Sequence, residues 1–119
     1  MAKDDYDYIV FRILVYLYGC FKRKISFEEA AFEKLLVKGI QEEYLLDVLQ
    51  LMQKDGLVEG LVFVRAWGGE HVLANRLADM RITAAGIRWL QENDSMRRIR
   101  KSLLGGAPGA ILELVKLVF

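Results

Sequence analysis

The hydrophobic pattern changes period at Gly56, and this change constrains the fold more than any other feature of the chain. Upstream, apolar residues recur every three to four positions. From Leu57 onward they crowd into "LVEGLVFVRAW" and "HVLANRLADMRI", with "GGE" between them. Runs of valine, leucine and aromatic residues punctuated by glycine read as a β-hairpin with Gly68 and Gly69 at or near its tip. A plain helical bundle with a long loop fits the β-branched content of residues 57–66 poorly.

Three helical segments precede the hairpin. In "DDYDYIVFRILVYLYGCF" the residues Ile9, Val10, Ile13, Leu14, Leu17 and Phe21 keep helical spacing, and Asp4 or Asp5 is placed to cap the start. In "ISFEEAAFEKLL" Ser26 and Glu29 stand at the spacing of a capping box, which predicts that the second helix starts there. "QEEYLLDVLQLMQKDG" carries Leu45, Val48, Leu49 and Met52 as one apolar stripe, stopped by Gly56 as a left-handed C-terminal residue. Only "VKGI" separates the second helix from the third, a tight helix-turn-helix connection. Three helices, a hairpin and a further helix give an α+β, mostly helical chain: a winged helix-turn-helix with a β-hairpin wing and additional C-terminal helices.

The exit from the wing, "RITAAGIRWLQEN", follows from local chemistry. With Thr83 as N-cap, Ile82 and Ile87 take the two positions of a hydrophobic staple, which clamps the last strand to the fourth helix. Gly86 then falls in the first helical turn, at a cost of about 1 kcal/mol relative to alanine. Its presence predicts that another backbone, from the first helix or the hairpin, approaches closely there.

The layout as a whole resembles one family. "YIVFRILVYLY" after an acidic start, the "KDGLVEG" exit from the third helix, "WGG" in the hairpin, "ITAAGIRWLQEN" and the basic "SMRRIRKSLLG" are together similar to the YjcQ family of small proteins from Gram-positive bacteria and their prophages. The resemblance covers approximately residues 4–105. It implies a winged helix and leaves activity open.

At 119 residues and 54% hydrophobic content, the chain can bury a single core, expected over residues 1–106, with residues 107–119 as a separate apolar helix. Its apolar runs fall far short of the ~20 residues that span a bilayer, and its start is acidic where a secretory signal is basic. A cytoplasmic protein without membrane attachment is expected. The one cysteine, Cys20, lies among apolar helix positions and reads as a structural thiol.

Function has to be sought in charge. The net charge is only +1, but residues 25–56 carry seven acidic against three basic side chains. In a DNA-reading winged helix the third helix enters the major groove and the wing and flanks hold phosphates. Here the face opposite the apolar stripe presents Gln41, Glu42, Glu43, Asp47, Gln50, Gln53 and Lys54, three acids against one base, which double-stranded DNA repels on approach. Gln50 and Gln53 have the chemistry to read adenines once docked. Basic residues lie elsewhere: Lys22, Arg23 and Lys24 after the first helix, Arg65 and Arg76 on the hairpin, and Arg97, Arg98, Arg100 and Lys101 after the fourth helix. The first group complements a helix dipole, and the last reads either as a solvated helix face or as a phosphate-contacting patch.

The leading functional reading is a DNA-binding regulatory or accessory protein of a mobile element. Its contacts would come from Arg97, Arg98, Arg100, Lys101, Gln50, Gln53, Lys54, Arg65 and Arg76. The alternative is an interaction module whose acidic helix-three face meets a basic protein partner. Enzymatic readings lack their residues: His71 is the one histidine, Glu42 and Glu43 point about 100° apart on a helix, and "WGGEH" lacks the strand-to-helix setting of a phosphate loop. No catalysis, metal or cofactor is expected.

In the tail, "PGAILELVKLVF" leaves only Glu113 and Lys116 polar, and Pro108 suits a first helical turn. A helix apolar on almost every side needs two covers. One reading folds it back on the first helix; the other adds a second subunit through Ile111, Leu112, Leu114, Val115 and Val118, with the first helix contributing to a homodimer. Light scattering coupled to size exclusion separates the two. A homodimer is the expected outcome, and a mass near the 13.7 kDa of one chain at micromolar concentrations would place the tail within its own subunit.

Overall fold

A helix with apolar residues on nearly all sides belongs at the centre of a domain, and α1 (Tyr6–Phe21) lies there. The computed structural model describes residues 5–34, 39–69, 71–92 and 117–118. Every residue from Tyr8 to Leu17 is buried, and Arg12, the charged member of that run, is only 6% exposed, with its guanidinium 4.7 Å from the centre of the Tyr8 ring. Burial pulls the Arg12 pKa below the ordinary guanidinium value. Around α1 pack α3 (Glu42–Lys54), β4 (Arg81–Ile82) and α4 (Ala84–Glu92). Phe32 of α2 (Glu29–Phe32) is fully buried in the same core.

The predicted capping box at Ser26 and Glu29 does not form. Glu28 occupies the N-cap of α2 in an extended conformation, and no side chain caps the helix. The cause is Tyr16 of α1: its hydroxyl donates to the Ser26 carbonyl at 3.3 Å and accepts from the Glu28 amide at 3.1 Å. Its ring meets Phe27 and Phe32 edge-on at 5.4 and 5.9 Å. This aromatic trio holds the chain extended through Phe27, so the helix starts two residues later than its local signal indicates. At the other end of α1, Asp5 occupies the N-cap position without a side-chain cap bond.

α3 stops as expected. Gly56 is left-handed (φ +79°), its amide donates to the Gln53 carbonyl at 3.0 Å, and the Leu57 amide donates to the Met52 carbonyl at 2.9 Å, the two bonds of a Schellman motif. The wing is one long antiparallel ribbon with two paired rungs. β1 (Val58–Glu59) pairs with β4 at its root, and β2 (Phe63–Arg65) pairs with β3 (His71–Leu73) towards its tip, with Val64 opposite Val72. A 3-10 turn at Leu77–Asp79 interrupts the return strand, and Gly68 and Gly69 make the tip in left-handed conformations.

At the wing root the expected junction is present. The Thr83 hydroxyl accepts from the Gly86 amide at 3.0 Å and donates to the Gly56 carbonyl, while the Thr83 amide donates to the Leu57 carbonyl at 3.1 Å. The backbone that crowds Gly86 is the hairpin: a Cβ on Gly86 would collide with the Leu57 carbonyl oxygen.

The tail is described only at Leu117 and Val118. Val118, expected at a dimer interface, is 0% exposed within its own chain. It packs over Gly19, where a Cβ would come within 2.9 Å of it, and Lys22 Nζ donates to its carbonyl at 2.8 Å. Within its own chain α1 is buried from Tyr8 to Leu17. Ile111, Leu112, Leu114 and Val115, and the boundary at residue 106, lie outside the described residues.

Helix propensity alone favours Gly86→Ala by about 1 kcal/mol. The Leu57 carbonyl reverses the sign, and we expect a loss of roughly 1–3 kcal/mol from overpacking against backbone. Urea denaturation checks this, and a stabilised variant would show that Leu57 gives way.

Candidate functional site

α3 buries Leu45, Val48, Leu49 and Met52 and turns its other side outward. Glu42, Glu43, Asp47 and Lys54 are exposed there, and Gln50 and Gln53 are half-buried. Among the described residues no ion pair reaches the three carboxylates; the salt bridge found there is Arg76–Asp79 at 3.4 Å, three residues apart on the wing. The acidic character read from the sequence therefore persists as an uncompensated face.

The two glutamines are not equivalent. Gln53 is engaged in both directions: its Nε2 donates to the Leu61 carbonyl at 2.8 Å, and its Oε1 accepts from the Leu61 amide at 2.9 Å. Leu61 is buried at the start of the ribbon, so this amide fork ties α3 to the wing and takes Gln53 away from any base. The Gln50 Nε2 atom is enclosed without an acceptor. Neither role is readable from spacing, because an amide side chain finds its partner only after the helix and ribbon have packed.

A second amide shapes the ribbon. Asn75 Oδ1 accepts from the Val62 amide at 3.0 Å, and its Nδ2 donates to the Gly60 carbonyl at 2.7 Å. Gly60 is left-handed (φ +97°), with the Asp79 carbonyl where a Cβ would stand. The result is a kinked wing whose β3 strand packs on α3. Between them run two adjoining clefts. One, of about 770 Å³, is bordered by Gln50, Leu51 and Lys54 of α3 and by Phe63 of the wing. The other, of about 450 Å³, lies between Glu42, Glu43 and Leu46 on one side and Gly69 and Val72 on the other. Asp47 and His71 line both.

The remaining expected contacts are scattered. Arg65 and Arg76 are exposed on the wing, and the Arg76 amide and guanidinium both engage Asp79. Lys22 is committed to Val118 and to the Tyr18 ring, 4.9 Å from its centre. Arg97, Arg98, Arg100 and Lys101 lie outside the described residues. His71 is exposed on β3 and borders the acidic clefts. Cys20 is half-buried, and burial pushes its thiol pKa up, away from the reactive thiolate. The apolar outer side of the wing has no counterpart among the residues singled out by spacing or charge: Val62, Val64 and Val72 are exposed along it, and Trp67 is fully so at the tip.

Three helices, a β-ribbon and a fourth helix make an α+β chain whose element order is compatible with a winged helix, and its helix-three face is acidic. The chain belongs to the YjcQ protein family, whose model matches residues 11–104. No curated protein and no solved structure matches it. Among the described residues no helix is long and apolar enough to cross a membrane.

The Gln53 fork satisfies two backbone groups of a buried residue. Gln53→Ala is therefore expected to cost roughly 1–3 kcal/mol and to speed amide hydrogen exchange at Leu61. Exchange measured by NMR checks this; unchanged protection at Leu61 would mean that the wing is held by other contacts.

Proposed function

We propose that this chain is a non-catalytic winged-helix interaction module that meets a basic protein segment with the acidic face of α3. The observation that carries the reading is the state of that face. Glu42, Glu43 and Asp47 are exposed and unpaired among the described residues, while Gln53, a residue suited to reading adenine, is bound to Leu61. A DNA-reading helix needs cations to displace counterions from phosphates, and Lys54 alone stands against three carboxylates on this face. A basic protein surface gains from the same field, in association rate above all.

A second reading rests on the exposed Arg65 and Arg76 of the wing together with Arg97, Arg98, Arg100 and Lys101 in the sequence. In it the protein is a DNA-binding regulatory or accessory factor of a mobile element that holds phosphates on surfaces other than α3.

The same substitutions act with opposite sign in the two readings. Glu42→Gln with Glu43→Gln should weaken binding of poly-lysine, the basic probe, by several-fold at low salt, and should strengthen any binding of mixed-sequence duplex DNA. Fluorescence anisotropy reads both. Duplex binding by the unmodified chain at low salt, lost when Arg97, Arg98, Arg100 and Lys101 become glutamine, would overturn the protein-partner reading in favour of DNA.

A further inference from the structure

One edge of the wing carries backbone groups that the ribbon itself does not use. Val64 stands opposite Val72, and the Ala74 amide donates to the Val62 carbonyl at 2.7 Å. In an antiparallel ladder this assigns the N–H and C=O of Val62 and Val64 to the β3 side and turns those of Leu61, Phe63 and Arg65 to the outer edge of β2. β3 packs on α3, whereas β2 has β3 as its main neighbour, and among the described residues their sheet has only these two strands. At Leu61 the outer edge is already filled, because the Gln53 amide bonds both backbone groups as a neighbouring strand does. Phe63 and Arg65 continue the same edge beyond it.

We infer that a second copy of the chain pairs along this edge, β2 against β2 in antiparallel register about Val64, so that two wings join into one four-stranded sheet. Unpaired strand edges are templates for β-addition. This interface does not depend on the protein-partner reading: Glu42 and Glu43 line the cleft towards Gly69 and Val72 and stay free.

Self-complementarity argues for a second copy and selects its register. With Val64 on the two-fold axis, Phe63 of each copy forms a hydrogen-bonded pair with Arg65 of the other, four backbone bonds in all. A guanidinium then faces an aromatic ring on either side of the axis. The two Val64 side chains, each 45% exposed in the single chain, meet as the closely spaced pair at the centre and extend the valine row begun by Val72. Sliding the strands one way sets Arg65 against Arg65, a like-charge pair. Sliding them the other way sets Arg65 against Leu61, whose edge Gln53 already occupies. In the central register the partner strand has reached its glycine tip before it meets Gln53. So few residues bury less than the roughly 1,200 Å² of a standard interface, which makes the dimer a weak one, with a Kd of about 0.1 mM.

The test is sedimentation equilibrium and amide hydrogen exchange of the full chain between about 10 μM and 1 mM. The mass should rise from 13.7 kDa towards twice that value, and the Phe63 and Arg65 amides should gain protection with concentration while that of Val64, bonded within the ribbon, stays constant. Arg65→Pro removes an outward N–H and no ladder bond, and should weaken the dimer more than tenfold. Val64→Lys, at an exposed position, sets two charges face to face and should abolish it. Val72→Lys, one strand further from the axis, should change the Kd by no more than about twofold. A chain that stays monomeric at 1 mM overturns the inference. So does a dimer that survives Arg65→Pro or is lost with Val72→Lys, because the copies then meet through the valine face or elsewhere. Should Arg65→Pro disturb the wing, the exchange of Phe63 and Arg65 in the unmodified chain decides: protection independent of concentration rejects the pairing.

Discussion

The Leu57 carbonyl is the meeting point on which the architecture depends. It follows directly on the left-handed residue that ends α3, begins the wing, accepts the Thr83 amide, and lies against the bare Cα of Gly86 in the first turn of α4. Thr83 adds a hydroxyl that bridges the end of α3 to the start of α4. Three elements are thereby joined by backbone groups whose geometry admits no side chain at position 86. From that joint the ribbon runs alongside α3, with β3 packed on it.

Much of this joint was legible because its chemistry is local. An N-cap threonine and a glycine after a helix act on neighbours within five residues, so their spacing already carries the structure. The capping box at Ser26 misled for the complementary reason. Tyr16, ten residues upstream, takes the Ser26 carbonyl and the Glu28 amide and packs its ring on Phe27 and Phe32, which keeps the chain extended where the box would need a helical turn. The amide forks of Gln53 and Asn75 were illegible, since each depends on elements that meet only after folding.

The candidate site divides along the same line. The acidic excess of α3 is a property of composition and can be counted from the residues alone. That the wing lies beside this face depends on Gly60, on Asn75 and on the Gln53 fork, none of which has a sequence signature. Family membership places the chain among YjcQ proteins. It leaves the chemistry to be argued from these side chains.

The Gln53 fork also has a mechanical meaning. The ribbon is anchored at its root by Thr83 and Leu57, is clamped a little further out where Gln53 grips Leu61, and then extends to Trp67 through the β2–β3 pairing. It is a cantilever with a second support close to its fixed end. Load applied at the indole is shared between the two hydrogen bonds of the Gln53 amide and the packing of β3 on α3. Anything that grips the tip therefore pulls on the helix that carries the carboxylates.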